Sequence, residues 1–387
     1  MASNKVDVNP EILVWARESI GLPRADAANK LHMSELDLRY LEEGVDDVSI
    51  PRLRDMAEVY DRPLITFFLS QPAPNEDSLP DFRFKSSHRS RPWSPEMHRA
   101  FRRVAGQREV ILSLIDESQD DSFKESFPAI DLGLELITDT ERAATQVRNW
   151  LLSARVSSET FPQFREWLAL IEGKGILVTH VSGVETSEMR GFSIGLEPCP
   201  AIGLNGADAV TARTFSLLHE LVHVVLHHGG LCAVGDIGAG KEYSQATVEW
   251  FCNSVAAAVL MPRSVLMQID SIANARKDKR WTDVELKRLA ARFYVSREAM
   301  LLRLMSLGRA TPEYYRSRRL HFAMQPDNQR QAGGPSYYRK KIRDLGRRYI
   351  STVLEARDRD EITEPSLLRY LDIQAKYVPK LISELAS

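Results

Sequence analysis

Two histidines four residues apart, with a glutamate directly after the first, are the residues of this chain best suited to chemistry. They form the run His219-Glu220-Leu221-Val222-His223. Side chains four positions apart lie on one face of a helix, so both imidazoles can reach one metal ion. The glutamate points beside that metal, where its carboxylate can take a proton from a bound water. The spacing therefore predicts a hydrolytic metal site with His219 and His223 as ligands and Glu220 as general base.

A catalytic zinc usually has three protein ligands and one open position for water. The candidates for the third ligand follow the motif: His227, His228, Glu242 and Glu249. Glu249 opens an apolar stretch in which a carboxylate is costly to bury unless it has a partner such as a metal. His227 lies about 12 Å along a straight helix from the first histidine, too far to share its zinc, so it is expected to cap the helix end with His228, where either could also contact substrate. We predict Glu249 as the third ligand and Zn²⁺ as the metal, which this donor set suits.

Helical and strand patterns surround the motif. The metal-binding helix is expected from about 208 to 228, and a second long helix from about 244 to 261. Alternating residues predict strands at 176–181, 191–196 and 201–204. The strand at 201–205 directly precedes the metal helix, and we expect it to be an edge on which an extended peptide could lie. The predicted substrate-binding residues near the metal are Asn205, Tyr243 and Arg303. The oxyanion-stabilising donor stays open among Tyr243, His227, His228 and Arg303.

Length and composition place the chain among ordinary globular proteins. Its 387 residues suggest two or three domains, with 43% hydrophobic and 27% charged residues. We find no apolar run long enough for a membrane span and no secretory segment. The three cysteines are too scattered for a disulfide framework or a four-cysteine zinc module. We therefore expect a cytoplasmic protein that has no contact with membrane.

The net charge of -2 conceals a strong asymmetry along the chain. Residues 1–72 carry 8 basic and 13 acidic side chains, whereas residues 83–108 carry 8 basic side chains against a single glutamate. Residues 309–348 carry 11 basic and 3 acidic side chains. Local basic stretches attract polyanions whatever the total charge. The two basic segments are therefore candidates for contact with nucleic acid.

Four regions follow from these patterns. Short helices with short turns predict a helix-turn-helix bundle over residues 1–72. Residues 73–130 are expected to form a linker and a basic helix, residues 131–310 the domain that contains the predicted hydrolytic metal site, and residues 311–387 a helical C-terminal region. The last stretch, 361–385, has the pattern of helix, turn and helix, which fits either a second degenerate helix-turn-helix or a docking element.

The expected recognition helix of the first domain does not fit DNA easily. It runs from Ser34 to Glu42 and carries Glu35 and Asp37, and carboxylates repel a phosphate chain. Protein docking or dimerisation is the competing interpretation. The C-terminal basic segment interleaves arginines with tyrosines, which suits single-stranded nucleic acid, although solvated helix faces and core tyrosines would produce the same pattern. The predicted nucleic-acid-binding residues, for duplex or single-stranded DNA, are Ser34, Arg39, Arg339, Lys340 and Lys341.

Three segments resemble the ImmA/IrrE family of bacterial metallopeptidases: Arg213 to His223, Glu249 through Asn253 to Pro262, and Val295 through Leu304. Leu218 and Val222 stand where the family often has alanine and glycine. The N-terminal bundle is similar to Xre/Cro-type helix-turn-helix domains, with Ala16-Arg17-Glu18 opening and Leu41-Glu42-Glu43-Gly44 closing the recognition region. The resemblance implies a mostly α fold with a small β-sheet (α+β), built around a gluzincin-like minimal metallopeptidase core.

The same resemblance implies a zinc endopeptidase that cleaves a regulatory protein, either a repressor or an antitoxin-like partner, and so switches on stress, prophage or defence genes. The main alternative is a DNA-binding transcriptional regulator in which the peptidase domain has become a sensor or dimerisation module. A third interpretation is an antitoxin-like binding protein. The intact His219, Glu220 and His223 favour the enzyme. A homodimer is compatible with any of the three functions.

Overall fold

The computed structural model describes residues 5–72, 93–136, 138–152, 161–195, 197–226, 245–324 and 336–386. Helices dominate and the sheets are small, which confirms the expected α+β class. Two units emerge, Met1–Arg103 and Val104–Ser387, and each is described by itself. The boundary between them falls inside a helix of 23 residues, whereas the sequence suggested a first domain that ends at residue 72.

The first unit is built from short helices. Its elements are β1 (Lys5–Val6), α1 (Pro10–Glu18), α2 (Arg24–Lys30), α3 (Glu35–Glu42), β2 (Val48–Ser49), α4 (Ile50–Tyr60) and a 3₁₀ helix at Leu64–Phe68. Strands β1 and β2 pair antiparallel. Ser34 caps α3 by accepting the backbone N–H of Asp37 at 3.0 Å. Gly44 follows α3 with a φ of +69°, a left-handed conformation that suits glycine and ends the helix where its position predicts.

A buried ion cluster ties three helices of this unit together. Glu42 of α3 is 5% exposed. Its carboxylate accepts from Arg17 Nε of α1 at 2.6 Å and from Arg24 Nε of α2 at 2.8 Å. A buried carboxylate is stable only when it is paired and hydrogen-bonded in this way. The cluster therefore fixes α1, α2 and α3 around the apolar core of the unit.

The second unit contains one mixed sheet enclosed by helices. Its elements up to the sheet are the end of α5 (Pro95–Glu117), α6 (Asp121–Glu125), α7 (Thr140–Leu152), α8 (Phe164–Glu172), β3 (Leu177–Val181), β4 (Gly191–Ile194) and β5 (Ala201–Asn205). The helices that follow are α9 (Val210–Leu226), α10 (Gln245–Leu260), α11 (Arg263–Leu266), α12 (Asp270–Ala273), α13 (Asp283–Arg292), α14 (Arg297–Ser306) and α15 (Pro312–Met324). The C-terminal helices are α16 (Tyr337–Leu345), α17 (Arg347–Asp358), α18 (Glu364–Leu371) and α19 (Val378–Leu385).

The strand order β3-β5-β4 corrects one expectation. Strand β5 pairs with β3 in parallel (Val178↔Ile202) and with β4 antiparallel (Phe192↔Gly203), so it is the central strand. The prediction that residues 201–205 form an edge was wrong. Within the described residues, strand β4 lies at an edge of the sheet and packs against α9. Alternation of side chains shows which residues share a face, but it does not show which strands exchange hydrogen bonds, so lateral order was not readable from the pattern.

The core of the second unit lies between the sheet and the long helices. Helix α9 packs against β4, β5, α8 and α10, and α10 also packs against α7 and α14. All residues of α9 from Ser216 to Val225 are buried. Large side chains such as Trp167, Phe251 and Trp281 fill the surroundings of α9 and α10 with at most 1% of their surface exposed. Such packing holds the two helices at a fixed separation, as a metal site shared between them requires.

The C-terminal helices pack onto the strand β3. Thr179 Oγ1 donates to the carbonyl of Asp344 at 2.5 Å, and His180 Nδ1 lies 3.1 Å from the carbonyl of Arg343. These contacts satisfy carbonyls at the end of α16. The expected helix, turn and helix of the last segment is present as α18 and α19, with Asp372 in the left-handed conformation after α18. Among the described residues, none of the helices combines the length and apolar character needed to cross a bilayer.

Candidate metal centre

Helix α9 brings the two histidines of the motif together. His219 and His223 are 1% and 8% exposed, and their Nε2 atoms lie 3.1 Å apart. The ring of Phe215, one turn earlier, stacks on His219 with the ring centroids 6.5 Å apart. The two imidazole nitrogens therefore converge on one point, as the spacing of four residues predicts.

Helix α10 supplies a carboxylate to the same point. The oxygens of Glu249 lie 3.3 Å from His219 Nε2 and 3.4 Å from His223 Nε2. Tetrahedral zinc with bonds of about 2.0–2.1 Å holds its ligand atoms about 3.3–3.4 Å apart. Glu249 Oε2 is the oxygen measured to His219, and Oε1 is the oxygen measured to His223, so each imidazole has a different carboxylate oxygen at a separation close to the one that zinc requires. Within the described residues, these three side chains form the cluster with metal-binding geometry.

The protonation states around this cluster suit a cation. Burial by itself raises the pKa of Glu249, but the hydrogen bonds and charges of His219 and His223 outweigh it and hold the pKa well below its usual range. Burial raises the pKa of the neighbouring Cys252 thiol, and His223 opposes this only in part. Within the described residues, the group of side chains with metal-binding geometry does not include Cys252.

The carboxylate of Glu220 faces strand β4. Glu220 is 7% exposed, and its Oε2 accepts a hydrogen bond from Ser193 Oγ at 3.1 Å. Gly191, two residues earlier on the same strand, lies so close that an added Cβ would stand 3.0 Å from Glu220 Cγ. Sequence reasoning missed both β4 residues. Their shared face was readable from the strand alternation, but their position opposite Glu220 depends on the strand order.

Two of the three predicted substrate-binding residues have internal partners. Asn205 is 1% exposed and its Nδ2 donates to the carbonyls of Val184 and Met189 at 2.9 and 2.8 Å. Arg303 is also 1% exposed and forms a two-fold ion pair with Glu141 at 2.6 and 2.8 Å. A substrate would have to displace these partners to reach either side chain. The third predicted residue, Tyr243, lies outside the described residues, as do His227, His228 and Glu242.

The predicted nucleic-acid residues of the first unit lie on or beside α3. Ser34 is its N-cap, and Arg39 forms an ion pair with Glu43 at 2.7 Å. Leu36 and Tyr40, four residues apart, are 52% and 37% exposed. The outer face of α3 therefore combines apolar and acidic side chains, which favours contact with protein over contact with phosphate.

The predicted nucleic-acid residues of the second unit lie on α16. Arg339 pairs with Glu384 at 3.5 Å and Lys341 pairs with Asp372 at 2.8 Å. Lys340 is exposed. Three tyrosine rings meet at this surface, with ring centroids 5.3 to 6.3 Å apart. Tyr337 and Tyr338 lie on α16, and Tyr377 lies directly before α19. Since acidic residues pair with two of the three cations, this surface is mixed in charge.

Comparison with known proteins bears on the second unit. Residues 171–305 match the Peptidase_M78 family model, described as an IrrE N-terminal-like domain. This stretch begins at the end of α8 and contains the sheet, both metal-site helices and nearly all of α14. All four residues of the candidate centre lie inside the Peptidase_M78 match, which supports a peptidase function for this region. The match does not extend to the N-terminal unit or the C-terminal helices. No curated protein matches the chain.

Proposed function

We propose that this protein is a zinc-dependent endopeptidase that cleaves a regulatory protein, in which His219, His223 and Glu249 hold the metal and Glu220 is the general base. The observation that carries the proposal is the convergence of these three side chains: the two imidazole Nε2 atoms lie 3.1 Å apart, and the two oxygens of Glu249 lie 3.3 Å from His219 Nε2 and 3.4 Å from His223 Nε2. Zinc bound there would supply a Lewis acid that lowers the pKa of water and polarises a peptide carbonyl. The Peptidase_M78 match over the same residues supports the peptidase reaction.

The protein's own part in the reaction centres on Glu220. Its carboxylate would take a proton from the attacking water and deliver it to the nitrogen of the leaving amine. Because Glu220 is mostly shielded from solvent, this proton stays within the site between the two transfers. The hydrophobic packing of α9 keeps the carboxylate and the two imidazoles in a fixed relation during the reaction.

The structure indicates where a peptide would bind. Within the described residues β4 pairs on one side only, with β5, and two of its residues face Glu220. An extended peptide could add to the other side by backbone hydrogen bonds, as in β-augmentation. We therefore propose that β4, and not the central strand β5, carries the substrate backbone.

The substrate class follows from the family resemblance and from the first unit. We propose a repressor or an antitoxin-like regulator as the substrate. The apolar and acidic face of α3 supports a role for the first unit in contacting protein. The DNA-binding alternative remains a prediction, and a gel-shift titration of the whole protein against duplex and single-stranded DNA at low salt would decide it.

The direct test is cleavage of a candidate regulator, chosen from the proteins encoded by the genes on either side of this one. Wild-type protein loaded with Zn²⁺ should cut it at one site, and Glu220→Gln should lose at least about a hundredfold in rate while it still binds zinc. His223→Ala should lose both activity and stoichiometric zinc, measured by elemental analysis. Equal cleavage by wild type and Glu220→Gln, or wild-type protein without bound transition metal, would refute the proposed function.

A further inference from the structure

Strand β4 contacts Glu220 through two residues that do not bind the metal. Gly191 and Ser193 stand two positions apart, so they share one face of the strand. From that face Ser193 Oγ donates to Glu220 Oε2 at 3.1 Å. A Cβ built on Gly191 would lie 3.0 Å from Glu220 Cγ and 3.2 Å from Oε1. One carboxylate oxygen is therefore held by a hydroxyl, and the other lies above a position where a methyl group would push the Glu220 side chain away by a few tenths of an ångström.

We propose that Ser193 and Gly191 are positioning residues that set the orientation of the Glu220 carboxylate. This inference rests on the proposed function and deepens it. Glutamate has three rotatable side-chain bonds, and a displacement of about 1 Å in a reacting group can cost a hundredfold in rate. The Ser193 hydroxyl fixes rotation of the carboxylate plane, while the backbone at Gly191 fixes how closely the side chain approaches the strand.

The hydrogen bond from Ser193 also offsets the energetic cost of burying the Glu220 carboxylate. Ser193 and Glu220 are 5% and 7% exposed, so neither group is well hydrated by bulk water. A buried carboxylate without a donor is unfavourable, and the hydroxyl supplies that donor.

The arrangement links substrate binding to the orientation of the base. The strand proposed to carry the substrate backbone is the strand that orients Glu220. A peptide that pairs with β4 would hold this strand in its extended form and with it the two residues that face the carboxylate. We therefore expect loss of either contact to lower kcat and to leave KM nearly unchanged.

The experiment compares Ser193→Ala, Ser193→Thr and Gly191→Ala with two matched controls. Ser118, 1% exposed, donates to Glu361 at 2.7 Å, so Ser118→Ala removes a similar serine–glutamate bond elsewhere. Gly106 has no atom within 4 Å of an added Cβ, so Gly106→Ala is the control for the glycine. Cleavage of the same regulator is measured for each variant, with zinc content and melting temperature.

The expected result separates positioning from folding. Ser193→Ala and Gly191→Ala should lower kcat about tenfold or more, with KM within twofold and full zinc content. Ser193→Thr keeps the hydroxyl and should recover most of the rate, while both controls retain wild-type kcat. An unchanged kcat in Ser193→Ala, or an equal loss in Ser118→Ala, would overturn the inference while the Glu220→Gln result still upholds the peptidase.

A stability measurement tests the contact without any activity. The fall in melting temperature caused by Ser193→Ala should be clearly smaller when Glu220 is already alanine than in the wild type, because the partner has gone. Additive shifts in this double-mutant cycle would show that the serine and the glutamate do not interact, and the inference would fail even if no substrate were known.

Discussion

The ion pair between Arg303 and Glu141 allows a direct test of whether Arg303, predicted from the sequence to bind substrate, instead stabilises the fold. The Arg303 guanidinium is buried and donates to both Glu141 oxygens, at 2.6 and 2.8 Å, and to the carbonyl of Met261 at 2.9 Å. It thereby joins α7 and α14 to the end of α10, the helix that carries Glu249. We expect Glu141→Ala to destabilise the second unit and to leave substrate affinity unchanged.

The magnitude follows from burial. Removing one partner of a buried pair costs about 3–5 kcal/mol because the other charge stays in a low-dielectric site. The Glu141 side chain is 31% exposed, so water can replace part of its contribution, and we expect about 2–3 kcal/mol. For a unit of this size, each kcal/mol lowers the melting temperature by about 2–4 °C. The expected fall in melting temperature is therefore roughly 4–12 °C.

The assay is thermal unfolding of the zinc-loaded protein, followed by kinetics well below the transition. Glu313→Ala is the control because it breaks an ion pair with Arg316 whose side chains are 73% and 71% exposed, and such pairs contribute little. Its melting temperature should stay within about 1 °C of the wild type. A Glu141→Ala variant that melts like the wild type but has a KM raised several-fold would refute the structural role of Arg303 and support the predicted substrate-binding role.

Two further predictions concern the sheet and one buried acid. Gly203→Ala should lower the free energy of unfolding by about 1–3 kcal/mol and reduce kcat, because its Cβ would stand 2.5 Å from the ring of Phe192 on β4. Unfolding in urea measures the change in stability, and Gly106→Ala is the control variant. Unchanged stability in both variants would contradict the close approach. Burial raises the pKa of Glu172 from its ordinary 4.5 to about 7, although the N–H of Arg348 opposes this. Because the folded state binds the extra proton, the contribution of Glu172 to stability is fully present below pH 4.5 and falls as the pH rises through about 7. Glu172→Gln should remove that fall in melting curves recorded between pH 5 and 8, and an identical pH dependence in variant and wild type would contradict it.

The elements of the fold were largely readable from local patterns. Helix starts and stops agree within a few residues, as at α3 (Glu35–Glu42) and α10 (Gln245–Leu260), because caps and apolar periodicity act over one or two turns. The sequence did not give the exact distances between the candidate ligand atoms. It did predict that His219 and His223 converge, because a helix fixes the geometry of side chains four positions apart. Glu249 was inferred from the cost of an isolated carboxylate in an apolar stretch, and the structure brings it to the two imidazoles.

Contacts between residues that are far apart in the chain could not be predicted from local sequence patterns. Arg303 and Glu141 are 162 residues apart in the chain, and Asn205 is held by carbonyls of a loop 16 and 21 residues earlier. Polar side chains near a metal motif look alike in sequence whether they face substrate or fill internal hydrogen bonds. Only their burial and partners distinguish the two roles.

The sequence by itself determined the candidate metal-binding residues: a largely apolar helix with histidines at one-turn spacing and a glutamate between them, and a carboxylate near the start of a second apolar helix. Helix geometry alone places the two histidines on one face, because they are four residues apart. The tertiary structure decided that Glu249 of α10 meets these histidines, and which strand lies beside Glu220, the proposed general base, because both depend on packing and backbone pairing between segments that are far apart in the chain. Through that pairing, Gly191 and Ser193, which have no distinctive sequence signal, come to face Glu220.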